Sequence, residues 1–320
     1  MIARSRPRLV GPGLLVALVI LMLAPLVLRD FQQGLLTEIF AFALLAMAFD
    51  ILYGYTGMLS FGQALYFGTG AIIAGILVER YKLGFLLVLL LATAIAALLA
   101  FATGFFAVRV GGHNFVIITV IFSLVFYFLA LQWRAFTGGD DGMAFHFPPV
   151  QVAGLSLDLS NRHVVYYTVL GLGTLVFLLC KALVTSPLGL VFRTIRENEL
   201  RSALIGYNVR RYKLLAFVIA GAVSGLGGVL FALSYRFASV ALLYWTVSGD
   251  AVIWTLFGGA GTLVGPILGT GILMMLSDYL STWFQSHQII LGIVIIVTVL
   301  VVPQGLVGLF RGRWLARRRT

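Results

Sequence analysis

Residues 53–71 read YGYTGMLSFGQALYFGTGA. Long apolar runs flank this stretch, yet it carries Gly54, Gly57, Gly62, Gly68 and Gly70 together with Thr56, Ser60 and Gln63. Glycine weakens a helix, and polar side chains are costly in lipid. Polar groups and irregular backbone persist at membrane depth only when they are buried in protein or face water. Working outward, the chain of 320 residues is 61% hydrophobic and 10% charged, with a mean hydropathy of +1.06. A soluble domain of this length needs more polar surface. Many windows approach the roughly 20 apolar residues that cross a hydrocarbon core. The composition therefore implies an all-α polytopic membrane protein in contact with a lipid bilayer.

Apolar runs fall at about 13–28, 35–53, 59–78, 84–108, 115–133, 163–182, 213–235, 247–259, 263–280 and 289–310. They predict about ten membrane segments in a single transmembrane domain over 1–320. The run 247–259 is too short to span alone and reads as a half-helix turning at Gly258-Gly259. Placing the N-terminus inside puts 16 Lys and Arg on the inside and 6 on the outside. By the positive-inside rule both termini are cytoplasmic. Arg4, Arg6 and Arg8 precede an apolar stretch as in a signal peptide, but no small-x-small cleavage site follows, so this stretch reads as a retained first helix.

Several functions are set aside. The net charge of +11 is spread in short clusters between apolar runs, which argues against nucleic-acid binding. Cys180 stands alone, and His113, His146, His163 and His287 have no metal-ligand spacing, so no metal site is expected. No phosphate-binding or hydrolase motif occurs. No catalytic residues and no cofactor are expected on this chain.

Two connections are long. Residues 134–162 form an external loop with the turn-like 137–142. Residues 183–212 fall inside. There Ser186 and Pro187 predict a capped helix start, with Leu188, Val191, Phe192 and Ile195 as its apolar stripe and Arg193 and Arg196 beside it. Asn198 can cap a second short helix carrying Leu200, Ala203 and Leu204, and Gly206 stands where a helix-ending glycine belongs. Two amphipathic helices over about 186–206 need a partner for their apolar faces: membrane surface, protein body or another subunit.

This segment resembles the cytoplasmic coupling region of ABC importer permeases. More closely, SPLGLVFRTIRENELRSALIGYNVRRYKLLAFVIAGAVSGLGGVLFA (186–232) is similar to LivM-type branched-chain amino acid permeases. GYTGMLSFGQALYFGTGA (54–71), TGGDDGM (137–143), GGAGTLVGPILG (258–269) and PQGLVGL (303–309) resemble that family's motifs in the same order. The resemblance covers about 35–310. It departs at Gln63, Met58 and Asp50, where His, Gln and Asn are frequent, and at His113-Asn114-Phe115. It implies a non-enzymatic permease subunit of the bacterial cytoplasmic membrane. It also implies a second similar permease, two cytoplasmic ATPases that hold ATP-Mg, and an external binding protein. The coupling residues it implies are Arg193, Arg196, Glu197, Glu199, Ala203 and Gly206. Its expected substrate is a branched-chain amino acid. A related permease for urea, short amides or other amino acids is the nearest alternative, and an ion-coupled secondary transporter using Asp50 is one of a different class.

Residue by residue, Ser60, Ala64 and Gly68 recur every four positions, as do Gly261, Gly265 and Gly269, which suits close helix packing in lipid. Gly54 and Gly57 are expected in a turn, with Gly62, Gly258 and Gly259 as further packing or hinge positions. Asp50, Ser60 and Gln63 are the candidate translocation-path residues. Asp50 has a second reading, bonding backbone amides of the following turn. Asp250 is expected to cap the short run at 251–259. The likeness of FGTGAI (67–72) to LGTGIL (268–273) reads as coincidence.

Overall fold

The computed structural model describes residues 12–148, 150–152, 155–284, 287–301 and 305–308. The helices are α1 (Pro12–Val27), α2 (Asp30–Asp50), α3 (Gln63–Tyr81), α4 (Phe85–Ala107), α5 (His113–Gln132), α6 (Arg134–Thr137), α7 (Arg162–Thr185), α8 (Pro187–Glu197), α9 (Glu199–Leu204), α10 (Val209–Tyr235), α11 (Trp245–Gly258), α12 (Val264–Trp283) and α13 (His287–Val301). Short strands β1 (Met143–Ala144), β2 (Val150–Val152), β3 (Leu155–Leu157) and β4 (Phe237–Ala238) pair β1 with β4 and β2 with β3, both antiparallel. The basic ends at 4–8 and 311–319 lie outside the described residues, as does part of 303–309, so the structure does not report on the expected placement of the termini.

The expectation of about ten membrane segments is corrected. Among the described residues six helical stretches are long and apolar enough to cross a membrane: Asp30–Tyr55, α4, α5, α7, α10 and α12. Four runs fall short for physical reasons. α1 covers 16 of the described residues, and α13 covers 15. α11 has 14 and stops at Gly258, where Gly259 takes φ +115°. α3 loses the first part of its run, because Met58–Gly62 is not helical, and it ends in the polar sequence Glu79-Arg80.

α2 lies at the centre, with Leu44, Leu45, Ala46, Met47, Ala48 and Phe49 essentially sealed from solvent. It packs against α7, α10, α11 and α12, while α3 packs between α10 and α4. Small residues set the α3–α10 approach. A Cβ on Gly70 would strike the backbone of Gly225, and one on Gly228 would strike the carbonyl of Phe67. Without a hydrophobic force between helices in lipid, such backbone-to-backbone approach is what holds them together. Exposed Leu, Ile, Val and Phe side chains on α1, α4 and α5 form the belt that lipid would cover.

Candidate functional site

The inner end of α2 is irregular. Residues Ile51–Tyr55 form a π-helical turn, a feature frequent at functional sites. Gly54 is required there, since a Cβ would land on the Asp50 carboxylate and 2.5 Å from the Gly261 nitrogen. Asp50 is fully buried. Its Oδ1 accepts the Gly261 N–H at 2.6 Å and its Oδ2 the Leu263 N–H at 3.0 Å. The carboxylate therefore clasps the turn between α11 and α12. That turn is unusual backbone: Gly259, Gly261 and Leu263 all have positive φ, and Leu263 at +59° is strained for a non-glycine residue. Gly258 and Gly265 face one another, and a side chain on either would meet backbone carbonyl oxygen.

From Gly57 the chain returns into the bundle as irregular backbone, and donors there are satisfied by hydroxyls of other helices. The Phe61 N–H donates to Thr119 Oγ1 (3.1 Å) and the Ala64 N–H to Ser248 Oγ (2.7 Å). Ser60 is fully buried, and its Oγ accepts the Gly62 N–H at 3.2 Å just before α3 starts. Gln63 is also fully buried. Its Oε1 accepts from Ser224 Oγ at 2.8 Å, and its Nε2 has no partner among the described residues. Gly62 lies against Thr119, and Gly68 against Leu242 and Leu243. Ser224 lies near the middle of the 27-residue α10, so α3 begins at mid-depth in the bundle. None of Asp50, Ser60 and Gln63 is open to solvent in this chain; together they organise the irregular segment.

Ser224→Ala is expected to lower stability by about 0.6–1.7 kcal/mol, the range for interhelical hydrogen bonds in membranes. Gln63→Leu added to it should recover part of the loss, because an apolar pair leaves no unsatisfied amide. Thermal unfolding of the two variants in one detergent checks this.

The residues for which the resemblance implies a coupling role lie at the same end as Asp50. Ser186 accepts the Gly189 N–H at 3.5 Å, with Pro187 opening α8. Asn198 caps α9 through the Arg201 N–H at 2.8 Å. Val191, Phe192 and Ile195 are buried against the bundle. Arg196 donates to the Gly54 carbonyl and lies over Gly57, whose φ is +75°. The Arg193 guanidinium sits 5.3 Å from the Tyr55 ring centre. Arg193, Arg196 and Glu197 line a cavity of about 350 Å³ with Gly54, Tyr55 and Gly261. Glu199 pairs with Lys213 at 2.5 Å. Ala203 is exposed on α9, beside Leu200, Leu204 and Ile205, which are 72%, 80% and 66% exposed.

At the opposite end a polar cavity of about 610 Å³ is bounded by Glu38, Asp278, Arg162 and Arg236. Tyr235 donates to Glu38 there at 2.5 Å, and Arg162 pairs with Asp30 at 3.6 Å. Among the described residues no three His, Cys, Asp or Glu groups come together in a way that could hold a metal.

The sequence reading missed Thr119, Ser224 and Ser248 as hydroxyl partners, since nothing in the spacing of their own helices points to the irregular segment. It also misplaced Asp250. α11 starts at Trp245, so Asp250 stands inside the helix and is exposed, instead of capping it.

Comparison with known proteins agrees with this architecture. The family described as branched-chain amino acid transport system permease component matches residues 33–299. The high-affinity branched-chain amino acid transport permease LivM of Escherichia coli K12 is 27% identical over 318 residues, covering 93% of this chain and 75% of its own. LivM of Salmonella typhimurium is 25% identical with the same coverage, and LivH of E. coli K12 is 24% identical over 282 residues, 83% of this chain and 91% of its own. No solved structure matches the chain. With a family match over most of its length, this chain belongs to the branched-chain amino acid transport permease family and is a permease subunit, not an ATPase.

Proposed function

We propose that this chain is one permease of an ATP-driven importer for branched-chain amino acids in a bacterial cytoplasmic membrane. It pairs with a second, similar permease, takes substrate from an external binding protein and is driven by two cytoplasmic ATPases carrying ATP-Mg. On this reading residues 1–320 form one permease domain with both termini and α8–α9 on the cytoplasmic side, and the cavity bounded by Glu38 and Asp278 opens outward.

The observation that carries the proposal is the pairing of an exposed apolar surface on α9 and its C-cap (Leu200, Leu204, Ile205) with a direct bond from α8 to the π-helical end of α2, through Arg196. A partner seated on α9 can thus pull on the irregular segment at the heart of the bundle. Asp50, Ser60 and Gln63 support that segment from inside the subunit. Both Asp50 oxygens are occupied by backbone N–H groups, an arrangement that favours a structural clasp over an ion-coupled site. The other coupling residues, Arg193, Glu197, Glu199, Ala203 and Gly206, lie on or beside the same two helices.

The test is uptake of labelled leucine into proteoliposomes holding both permeases, both ATPases and the binding protein. Uptake should require ATP and the binding protein, and a collapsed ion gradient should leave it unchanged. Uptake that follows an ion gradient without ATP would refute the proposal.

A smaller prediction concerns Gly206, which has φ +96° and donates its N–H to Ala203 at 3.0 Å. Proline holds φ near about −65° and has no N–H, so Gly206→Pro breaks the turn after α9. ATP hydrolysis should persist while leucine transported per ATP falls several-fold.

A further inference from the structure

A carboxylate at membrane depth normally faces the interior of a bundle, a charged partner or water. Asp250 has none of these within its own subunit. It makes no hydrogen bond or ion pair among the described residues and is exposed. Its depth follows from its neighbours. Ser248, two residues earlier, bonds the Ala64 N–H at the start of α3, and Gln63 there bonds Ser224 at the middle of α10. Asp250 lies eight residues before Gly258, the last residue of α11, which is about 12 Å along the axis at 1.5 Å per residue. Asp250 thus stands at mid-depth, well away from the Asp50 clasp.

The face it occupies has a definite composition. Thr246 and Asp250 are one helical turn apart and are both exposed, while Ser248, Ala251 and Thr255 turn inward. Gly249 beside the carboxylate is open: a Cβ there would meet only the Phe61 ring, at 3.8 Å. The Phe61 ring lies 6.2 Å from that of Trp245. The unpaired carboxylate and its adjoining hydroxyl thus occupy the helical stripe next to that of Trp245 and Gly249, on which the Phe61 ring of the irregular segment rests.

We propose that this surface lines the translocation path and that Asp250 holds the ammonium group of the amino acid in transit, with Phe61 and Trp245 beside its apolar side chain. The inference rests on the reading of this chain as an amino-acid permease. A lipid-facing carboxylate at this depth costs about 2.5–3.5 kcal/mol on insertion scales, so the face must be covered by water or protein. The ammonium supplies the positive charge that the subunit lacks there.

Two measurements on the complete reconstituted importer test it. Asp250→Asn should lower leucine uptake by about tenfold or more, with ATP hydrolysis and subunit assembly unchanged, and Asp250→Glu should retain more uptake than Asp250→Asn. Separately, Asp250→Cys in a Cys180→Ala background should react with a water-soluble cationic thiol reagent, and saturating leucine should slow that reaction. Asp250→Asn uptake near wild type, or no labelling in any nucleotide state, would overturn the proposal. Loss of the second permease from the Asp250→Asn complex would also overturn it, by making Asp250 an intersubunit ion pair. Wild-type vesicles that take up no leucine would instead refute the substrate reading, whereas thiol labelling without leucine reports the aqueous face independently of it.

Discussion

Asp50→Ala is expected to lower stability by about 2–5 kcal/mol and to abolish uptake, because it leaves one buried and one half-buried backbone N–H group unpaired. The groups are those of Gly261 and Leu263, held at 2.6 and 3.0 Å by the two carboxylate oxygens. Inside the turn, which has three residues of positive φ between Gly259 and Leu263, the Thr262 hydroxyl donates to the Gly259 carbonyl at 2.8 Å and accepts the Gly265 N–H at 2.9 Å, which leaves the Gly261 and Leu263 N–H groups to Asp50. Without the carboxylate, α11 and α12 lose the link that fixes their shared end to α2. Asp50→Asn should fall between wild type and alanine: one amide oxygen still accepts, but the amide NH₂ then faces a backbone N–H. Thermal unfolding and leucine uptake should decline together across the three proteins. A variant that keeps full stability yet loses transport would point instead to a chemical role for the carboxylate in coupling.

This site was legible only in its local part. Ser186, Pro187, Asn198 and Gly206 act within a few residues of their own positions, through caps and a positive-φ turn, so the two helices of the coupling region could be drawn from spacing alone. The break after α11 followed likewise from Gly258-Gly259. The partners of Asp50 lie 211 and 213 residues away. Nothing in the spacing of either segment indicates that they meet. Ser60 and Gln63 looked like path residues for the same reason: a polar side chain in an apolar run signals burial in protein or contact with water, and sequence does not separate the two. Asp250 shows the reverse error. Its place before a short apolar run suggested a cap, but the helix begins five residues earlier, at Trp245. The count of membrane segments failed because apolarity does not report helix length: α1, α11 and α13 cover 16, 14 and 15 of the described residues, and Met58–Gly62 crosses part of the bundle as irregular backbone.

Arg196→Ala is expected to cut leucine transported per ATP hydrolysed by about tenfold, with ATP hydrolysis within about twofold of wild type. Arg196 of α8 donates to Gly54 in the π-helical turn. Its side chain also lies over Gly57 and against Gly261, so one guanidinium touches the end of α2, the start of the irregular segment and the turn clasped by Asp50. Motion of α8 therefore reaches all three at once, and from Gly57 only six residues lead to the start of α3 at mid-depth. Stability should fall less than in Asp50→Ala: Arg196 is exposed, and although its charge acts on the buried Asp50 carboxylate, the two backbone N–H bonds to that carboxylate remain. Arg196→Lys should rescue only in part: an ammonium is a point charge on a flexible stem, without the fork that spans neighbouring backbone groups. The contrast with Asp50 is the decisive feature. Loss of the clasp should remove stability and uptake together, whereas loss of the strut should leave a folded permease whose ATPases run without moving substrate. Unchanged leucine transported per ATP in Arg196→Ala would mean that α8 acts on the bundle through its buried face, Val191, Phe192 and Ile195, and not through the guanidinium.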